Sequence, residues 1–410
     1  MAGYRERLWQ PGFRDIGTRR PLPRSFYYRA FIPDPIAKLD IAFSLEVIAS
    51  MLQAQQAVVD LQQRSAISGI DAVATPLLRA EGVGSSWIEG LRVSHRRLAE
   101  MIFDPQKRDE LARSVVGNVR AMEEAVEISS HNRTFRVEDI LDMHRTLLVA
   151  TRDKRIAGQL REEQVWIGGR GASPADAEFV PPPEDEVPRL LEDLAAFVNR
   201  TELPPVAQAA IAHAQFEIIH PFADGNGRIG RCLIHVILKR RGSVTNFVPP
   251  VSVVLATSPK AYIGGLTGYR LGRIADWCAM FAGAVGAACR RASLLADSFL
   301  AAESRWHVQA GRPRKGSAAS KILAGMPAHP ILDVNAAMDI YGVSNSGARQ
   351  ALNALEEAAV MKNLSVSRYK RAWAATEVFD LLNRFEQELG IPEDPQESPD
   401  LRRRRAPRSA

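Results

Sequence analysis

Apolar residues recur at three- and four-residue spacing along most of this chain, which predicts a mainly helical protein. Over residues 36–63 the set Leu39, Ile41, Leu45, Ile48, Met51 and Leu52 marks one amphipathic helix. A second is expected to start at Pro76, a residue suited to a first helical turn, and to run to Ile88, with Gly90 as its stop. Further helices are predicted at 94–103, 109–130, 136–150, 185–199 and 205–219. Another follows residue 229 and ends in Lys239-Arg240-Arg241-Gly242, cations and a glycine that suit a C-terminus. A short apolar run at 248–255 and helices at 261–269 and 274–301 come next, with Trp277 and Phe281 as core residues. Residues 157–183 break the period: β-prone pieces at 164–167 and 178–180 flank a Gly-, Ala- and Pro-rich loop, which reads as a loose β-hairpin ended by Pro181-Pro182-Pro183. Residues 1–36 are rich in Arg, Pro and aromatics with no sustained period, and are expected to form an extended arm. Residues 307–317 have linker composition. Beyond them a short helix from Val334, a turn at Gly342 and a helix over 344–357 capped by Ser344 are predicted, with returning strands around Arg368 to Trp373.

At 410 residues the chain has room for two or three domains, and its 46% apolar content is that of a globular protein. No apolar run approaches the roughly 20 residues of a membrane helix, and the N-terminus lacks the apolar stretch of a secretory signal. Three cysteines, Cys232, Cys278 and Cys289, are too few for a disulfide framework and read as core residues. Cytoplasmic localisation with no membrane association is the expectation. The formal charge of +6 owes much to the tail, where Arg402 to Arg405 and Arg408 form a run expected to be disordered and solvated.

The chemistry is concentrated in residues 220–231, His-Pro-Phe-Ala-Asp-Gly-Asn-Gly-Arg-Ile-Gly-Arg, between two apolar helices. A Gly-flanked turn opening a helix aims main-chain N–H groups at one point and makes an anion site. Arg228 and Arg231 add charge-assisted donors suited to phosphate. Asp224 suits a hard cation such as Mg2+ beside those phosphates, and His220 suits a general base. His144 has no second ligand spaced near it and reads as a packed helix residue.

This stretch resembles the Fic-family signature His-x-Phe-x-(Asp/Glu)-Gly-Asn-Gly-Arg-x-x-Arg, with every defined position met: His220, Phe222, Asp224, Gly225, Asn226, Gly227, Arg228 and Arg231. The resemblance implies an all-α Fic helical core with a small β-hairpin flap, and a protein adenylyltransferase that moves AMP from ATP to a Ser, Thr or Tyr hydroxyl. In it His220 is the base, Asp224 holds Mg2+, and Gly225, Asn226, Gly227 and Arg228 bind phosphates. Arg231 reaches the γ-phosphate, and Phe222 pegs the loop to the core. Tyr262 is a weaker candidate for the nucleotide pocket. The flap would receive a target protein segment as an added strand.

Upstream, Ser85-Ser-Trp-Ile-Glu89-Gly90 resembles the family's inhibitory motif (Ser/Thr)-x-x-x-Glu-(Gly/Asn), which implies a Glu89–Arg231 salt bridge that misplaces the triphosphate. The region after the linker resembles a winged helix-turn-helix. DNA contact through 344–357 is open to that face but not favoured, since Glu356 and Glu357 follow it, and dimerisation or docking is preferred. The expected layout is an N-terminal region over 1–110 with the inhibitory helix at about 76–90, then the Fic core over 111–305 with its flap at about 161–183. A linker at 306–318, a winged-helix-like domain at 319–388 and the basic tail at 389–410 complete it. Three other readings compete. A death-on-curing kinase would carry Lys in place of Gly227, and a de-AMPylase is compatible with the same signature. The third is a DNA-binding regulator with a vestigial Fic core, which the intact motif opposes.

Overall fold

The computed structural model describes residues 2–10, 24–68, 71–130, 133–169, 173–367 and 370–390. From residue 391 the expected basic tail lies outside the described residues, as do Arg368 and Tyr369 of the expected wing. The chain opens with strands β1 (Gly3–Trp9) and β2 (Phe26–Ile32), then helices α1 (Leu45–Ser68), α2 (Asp71–Ile88), α3 (His95–Phe103), α4 (Glu110–Ser130) and α5 (Val137–Leu148). After a loop region come α6 (Val187–Val198), α7 (Pro205–Ile219), α8 (Asn226–Arg240), α9 (Val251–Thr257), α10 (Pro259–Arg270) and α11 (Ile274–Gln309). The last stretch holds α12 (Ala318–Gly325), β3 (Ile331–Leu332), α13 (Val334–Tyr341), α14 (Asn345–Glu357), β4 (Lys362–Ser367), β5 (Lys370–Ala374) and α15 (Thr376–Gln387).

Two compact units interleave along this order. One takes in the chain up to Met51, Glu124–Arg241 and Ile263–Ala282; the other takes in Leu52–Glu123, Gly242–Tyr262 and the chain from Gly283. In the first unit α7 is buried on all sides, as its run of Ala, Ile, Val and Phe dictates for a central helix. Gly230 lets α8 close on α7: a Cβ there would lie 2.5 Å from Glu217 Oε1 and 3.0 Å from the Phe216 ring. The N-terminal residues expected as an arm instead form an antiparallel pair, from Gly3 opposite Ile32 to Trp9 opposite Phe26. The reason lies in a period of two. Arg5 and Arg7 point inward to Asp185, Glu186 and Glu184, while Tyr4, Glu6 and Leu8 face solvent.

In the second unit α2 is held along a buried face. Val73, Leu77, Ala80 and Val83 are fully buried along one stripe. Gly84 sits so close to α9 that a Cβ would be 2.7 Å from the Val253 nitrogen. Glu81, fully buried, accepts from the Ser252 N–H at 2.7 Å and the Ser252 hydroxyl at 2.6 Å, which caps the first turn of α9. The C-terminal elements form three helices and an antiparallel sheet in the order β3-β5-β4, followed by α15. This sheet and α15 pack on α3 through Ala99, Phe103, Ala372, Ala374 and Phe379, and His95 Nε2 meets Glu386 Oε1 at 2.6 Å.

Five further expectations change. Helix α1 begins at Leu45 rather than near residue 36, because the Arg200 guanidinium donates to the Leu39 carbonyl at 2.6 Å, an acceptor that a helix through these residues would need. It also buries Met51, Ala54, Val58 and Leu61, leaving Leu45 and Leu52 85% and 65% exposed. Pro76 lies inside α2, which starts at Asp71; burial of Val73 extends the helix past the one donor that proline removes. The hairpin contracts to a single bridge between Ile167 and Phe179, because Gly168 and Gly169 both take positive φ and turn the chain out of the strand. Finally α11 runs through the expected linker start to Gln309, held by Trp306, whose indole N–H donates to Glu377. With a mean hydropathy of 1.2 over 18 residues, α11 is long and apolar enough to cross a membrane by composition, contrary to the sequence expectation, and 56% of that window is buried within the protein.

Candidate active site

The signature forms the turn between α7 and α8. His220 caps α7 in the left-handed region, φ 50° and ψ 60°, and its N–H closes on the Phe216 carbonyl at 2.9 Å. This backbone, uncommon for a residue with a Cβ, swings the imidazole off the helix axis. Its Nδ1 lies 3.3 Å from the Glu217 carbonyl oxygen, which can only accept, so the neutral ring carries its proton there and its lone pair on Nε2. That is the form a base requires.

Phe222 is fully buried, and its N–H and C=O pair with Oδ1 and Nδ2 of Asn226, both at 2.8 Å. The Asn226 side chain is therefore a latch closing the loop, and only its main chain is placed to serve an anion. Gly225 takes φ 83° as the N-cap of α8, where a Cβ would lie 2.8 Å from Leu147. Gly227 and Arg228 follow in the first helical turn, whose N–H groups and dipole favour negative charge. Arg228, 3% exposed, places Nη2 2.9 Å from Asp224 Oδ2, whose side chain is 55% exposed. Arg231, one turn on, is 1% exposed; burial first, and the Arg231 charge second, hold the fully buried His213 down to a pKa of about 3.

Two residues outside the signature hold it from below. Arg161 is 6% exposed and donates to main-chain carbonyls alone: Nε to His220 at 2.8 Å, Nη1 to Glu163 at 3.1 Å, and Nη2 to Pro182 and Ile219. Its own N–H reaches the Pro221 carbonyl at 3.0 Å. It thus joins both feet of the flap to the loop that carries His220, and burial lowers its pKa to about 10, which keeps it cationic at neutral pH. His144, fully buried on α5, stacks on Phe222 with ring centroids 3.7 Å apart and reaches the Asp224 carbonyl at 3.0 Å. Sequence reasoning gave Arg161 no role and His144 only a packing one. Their partners are carbonyl groups, which leave no side-chain pattern to read.

The structure brings His220, Phe222, Asp224, Gly225, Asn226, Gly227, Arg228 and Arg231 together in one unit. Ser85, Glu89, Gly90 and Tyr262 belong to the other. Ser85 is fully buried in α2, and Glu89 and Gly90 form the turn ending that helix, with Gly90 at φ 78° and its N–H on the Trp87 carbonyl at 2.8 Å. Tyr262, in the first turn of α10, is 4% exposed.

Residues 134–238 match the Fic/DOC family, and residues 48–127 match the Fic/DOC family N-terminal region. A Caenorhabditis briggsae protein adenylyltransferase fic-1 is 33% identical over 138 residues, which are 33% of this chain and 24% of that protein. A Drosophila sechellia protein adenylyltransferase Fic is 33% identical over 129 residues, 31% of this chain and 23% of that protein. The chain thus spans about a quarter of the length of the curated relatives it matches. A Fic family protein from Desulfovibrio desulfuricans G20 shares the fold, with a TM-score of 0.51 and 22% identity over 82% of this chain and 97% of that one. Residues 134–238 of this chain thus form a Fic/DOC family domain, with the signature loop at 220–231 inside it.

Proposed function

We propose that this protein is an adenylyltransferase that moves AMP from ATP to a Ser, Thr or Tyr hydroxyl of a protein. The observation that supports this reading is the His220 tautomer, its lone pair on Nε2, in the loop that leads into α8 and its buried Arg228 and Arg231. The target oxygen attacks the α-phosphorus, the bond from that phosphorus to the bridging oxygen breaks, and pyrophosphate departs. His220 Nε2 takes the hydroxyl proton. Main-chain N–H groups of 225–227 and the Arg228 guanidinium meet charge developing on the phosphate oxygens. The half-exposed Asp224 carboxylate fits Mg2+, which commonly uses one or two carboxylates together with substrate phosphates. Bound there, the cation would neutralise phosphate charge. The flap is read as the docking strand for the target, and the C-terminal unit as a winged helix for docking or dimerisation.

Glu89 is read as an inhibitor that competes with the γ-phosphate for Arg231. Expected results are that Glu89→Gly gains a mass of one AMP on incubation with ATP and Mg2+, and that His220→Ala abolishes the gain. Intact mass spectrometry checks both. An unmodified Glu89→Gly chain and unmodified partners would overturn the inhibitory reading. Loss of AMP from a pre-modified protein in the wild type would favour the reverse reaction.

A further inference from the structure

We propose that His144 is a positioning residue for the Asp224 carboxylate, relaying the base of the flap to the cation-binding side of the loop. The inference rests on the transfer reading above but concerns a residue that touches no substrate.

A neutral imidazole has one donor and one acceptor, and His144 uses both on main chain. The Gly158 N–H donates to Nδ1 at 3.0 Å, which places the proton on Nε2, and Nε2–H donates to the Asp224 carbonyl at 3.0 Å. The ring face is also engaged, stacked at 11° on Phe222. One side chain therefore joins three segments: α5, the turn three residues before Arg161, and the signature loop. Gly158 reaches the ring by taking φ 71°, where a Cβ would lie 3.1 Å from the Leu141 carbonyl oxygen and the Arg145 guanidinium. A side chain there would push the N–H off Nδ1.

Asp224 needs such a support. Its carboxylate is 55% exposed, so packing does not fix it, and its ion-pair partner is Arg228, which a bound triphosphate would also engage. Holding the Asp224 carbonyl fixes the plane of the 224–225 peptide, and with it the direction of the Asp224 Cα–Cβ bond and of the Gly225 N–H. Misplacement of such a group by a fraction of an ångström costs activity because the ligand shell must be built around it. The other roles open to a histidine fail on burial. With no exposed surface and both nitrogens occupied, His144 can neither exchange protons with substrate nor bind metal.

The test uses the full chain with His144→Phe, which keeps the stacking and loses both hydrogen bonds, and His144→Gln, which keeps a donor. Binding of a fluorescent ATP analogue is titrated without Mg2+ and then against Mg2+. The expected result is analogue binding within about twofold of wild type without Mg2+, and a Mg2+ half-saturation raised about tenfold in His144→Phe and less in His144→Gln. Histidine 15N spectra of the wild type should show the His144 proton on Nε2. An unchanged Mg2+ dependence in both variants, or a proton on Nδ1, would overturn the proposal. If His144→Phe does not fold, His144→Gln and the spectra decide. A wild type that binds no ATP with or without Mg2+ overturns the transfer reading instead, and the spectra still decide the hydrogen-bond relay.

Discussion

A buried guanidinium must find acceptors for its N–H groups, and Arg161 finds them in four carbonyls drawn from the flap and the active loop. Arg161→Met removes every side-chain donor while keeping much of the apolar stem. It should destabilise the protein by about 2–4 kcal/mol and lower kcat more than it raises KM for ATP, because the carbonyl of the base itself is released. Melting temperature and steady-state kinetics in the Glu89→Gly background check this. His213 gives a pH prediction. Its folded pKa lies near 3, below the ordinary 6.5, so as pH falls through 6.5 the unfolded chain takes up the proton first. The stability this histidine contributes is full above about pH 6.5 and declines by about 1.4 kcal/mol per pH unit toward 3. Urea titrations between pH 7 and 4 should show a shallower decline in His213→Gln. Residues such as His220 and Asp224 were legible in the sequence because the chemistry demands their types at fixed spacing. Arg161 and His144 were not, because what they hold is backbone that only the fold delivers.

Among elements, α2 shows how far a periodic pattern carries. Its stripe of Val73, Leu77, Ala80 and Val83 marks a helix, yet pattern alone did not reveal that Glu81 faces the interior as the cap of α9. The same limit appears in α1, whose two apolar stripes made the helix readable and its buried face ambiguous. Glu81 matters to the proposed inhibition because Ser85, where the proposed inhibitory motif begins, lies four residues later. If inhibition depends on where Glu89 is held, loosening α2 without touching Glu89 should release part of it. Glu81→Ala leaves the Ser252 N–H and hydroxyl without their acceptor and opens a cavity, at a cost of about 2–4 kcal/mol. Its auto-modification with ATP should exceed wild type and stay below Glu89→Gly. Glu81→Gln, which retains an acceptor, should lie between. Equal activity in Glu81→Ala and wild type, with the melting temperature lowered, would show that Glu89 is placed by its own turn rather than by the helix.

At the scale of the molecule, sequence order is a poor guide to what is built together. The contiguous layout expected from composition put a boundary at residue 306, but α3 and the last helix share one core. Ala99 and Phe103 pack with Phe379 and the β3-β5-β4 sheet, and the buried His95–Glu386 pair lies among them. Ser94, which caps α3 by accepting from the Arg97 N–H, stands four residues beyond Gly90, so the end of the proposed inhibitory motif leads directly into this contact. No local period could signal a pairing across 291 residues. Breaking one side of a buried pair strands the other. His95→Leu should therefore cost about 3–5 kcal/mol, while His95→Leu with Glu386→Leu, two apolar residues in place of two polar ones, should cost less than either single change predicts. Hydrogen exchange separates a shared core from a docked appendage. In the wild type, amides of α3 and α15 should open with the same free energy, and His95→Leu should lower both in parallel. If α15 alone lost protection, the C-terminal elements would be an independent domain resting on α3. A parallel loss would make α3 the element through which anything that loads the C-terminal unit reaches the turn at Glu89.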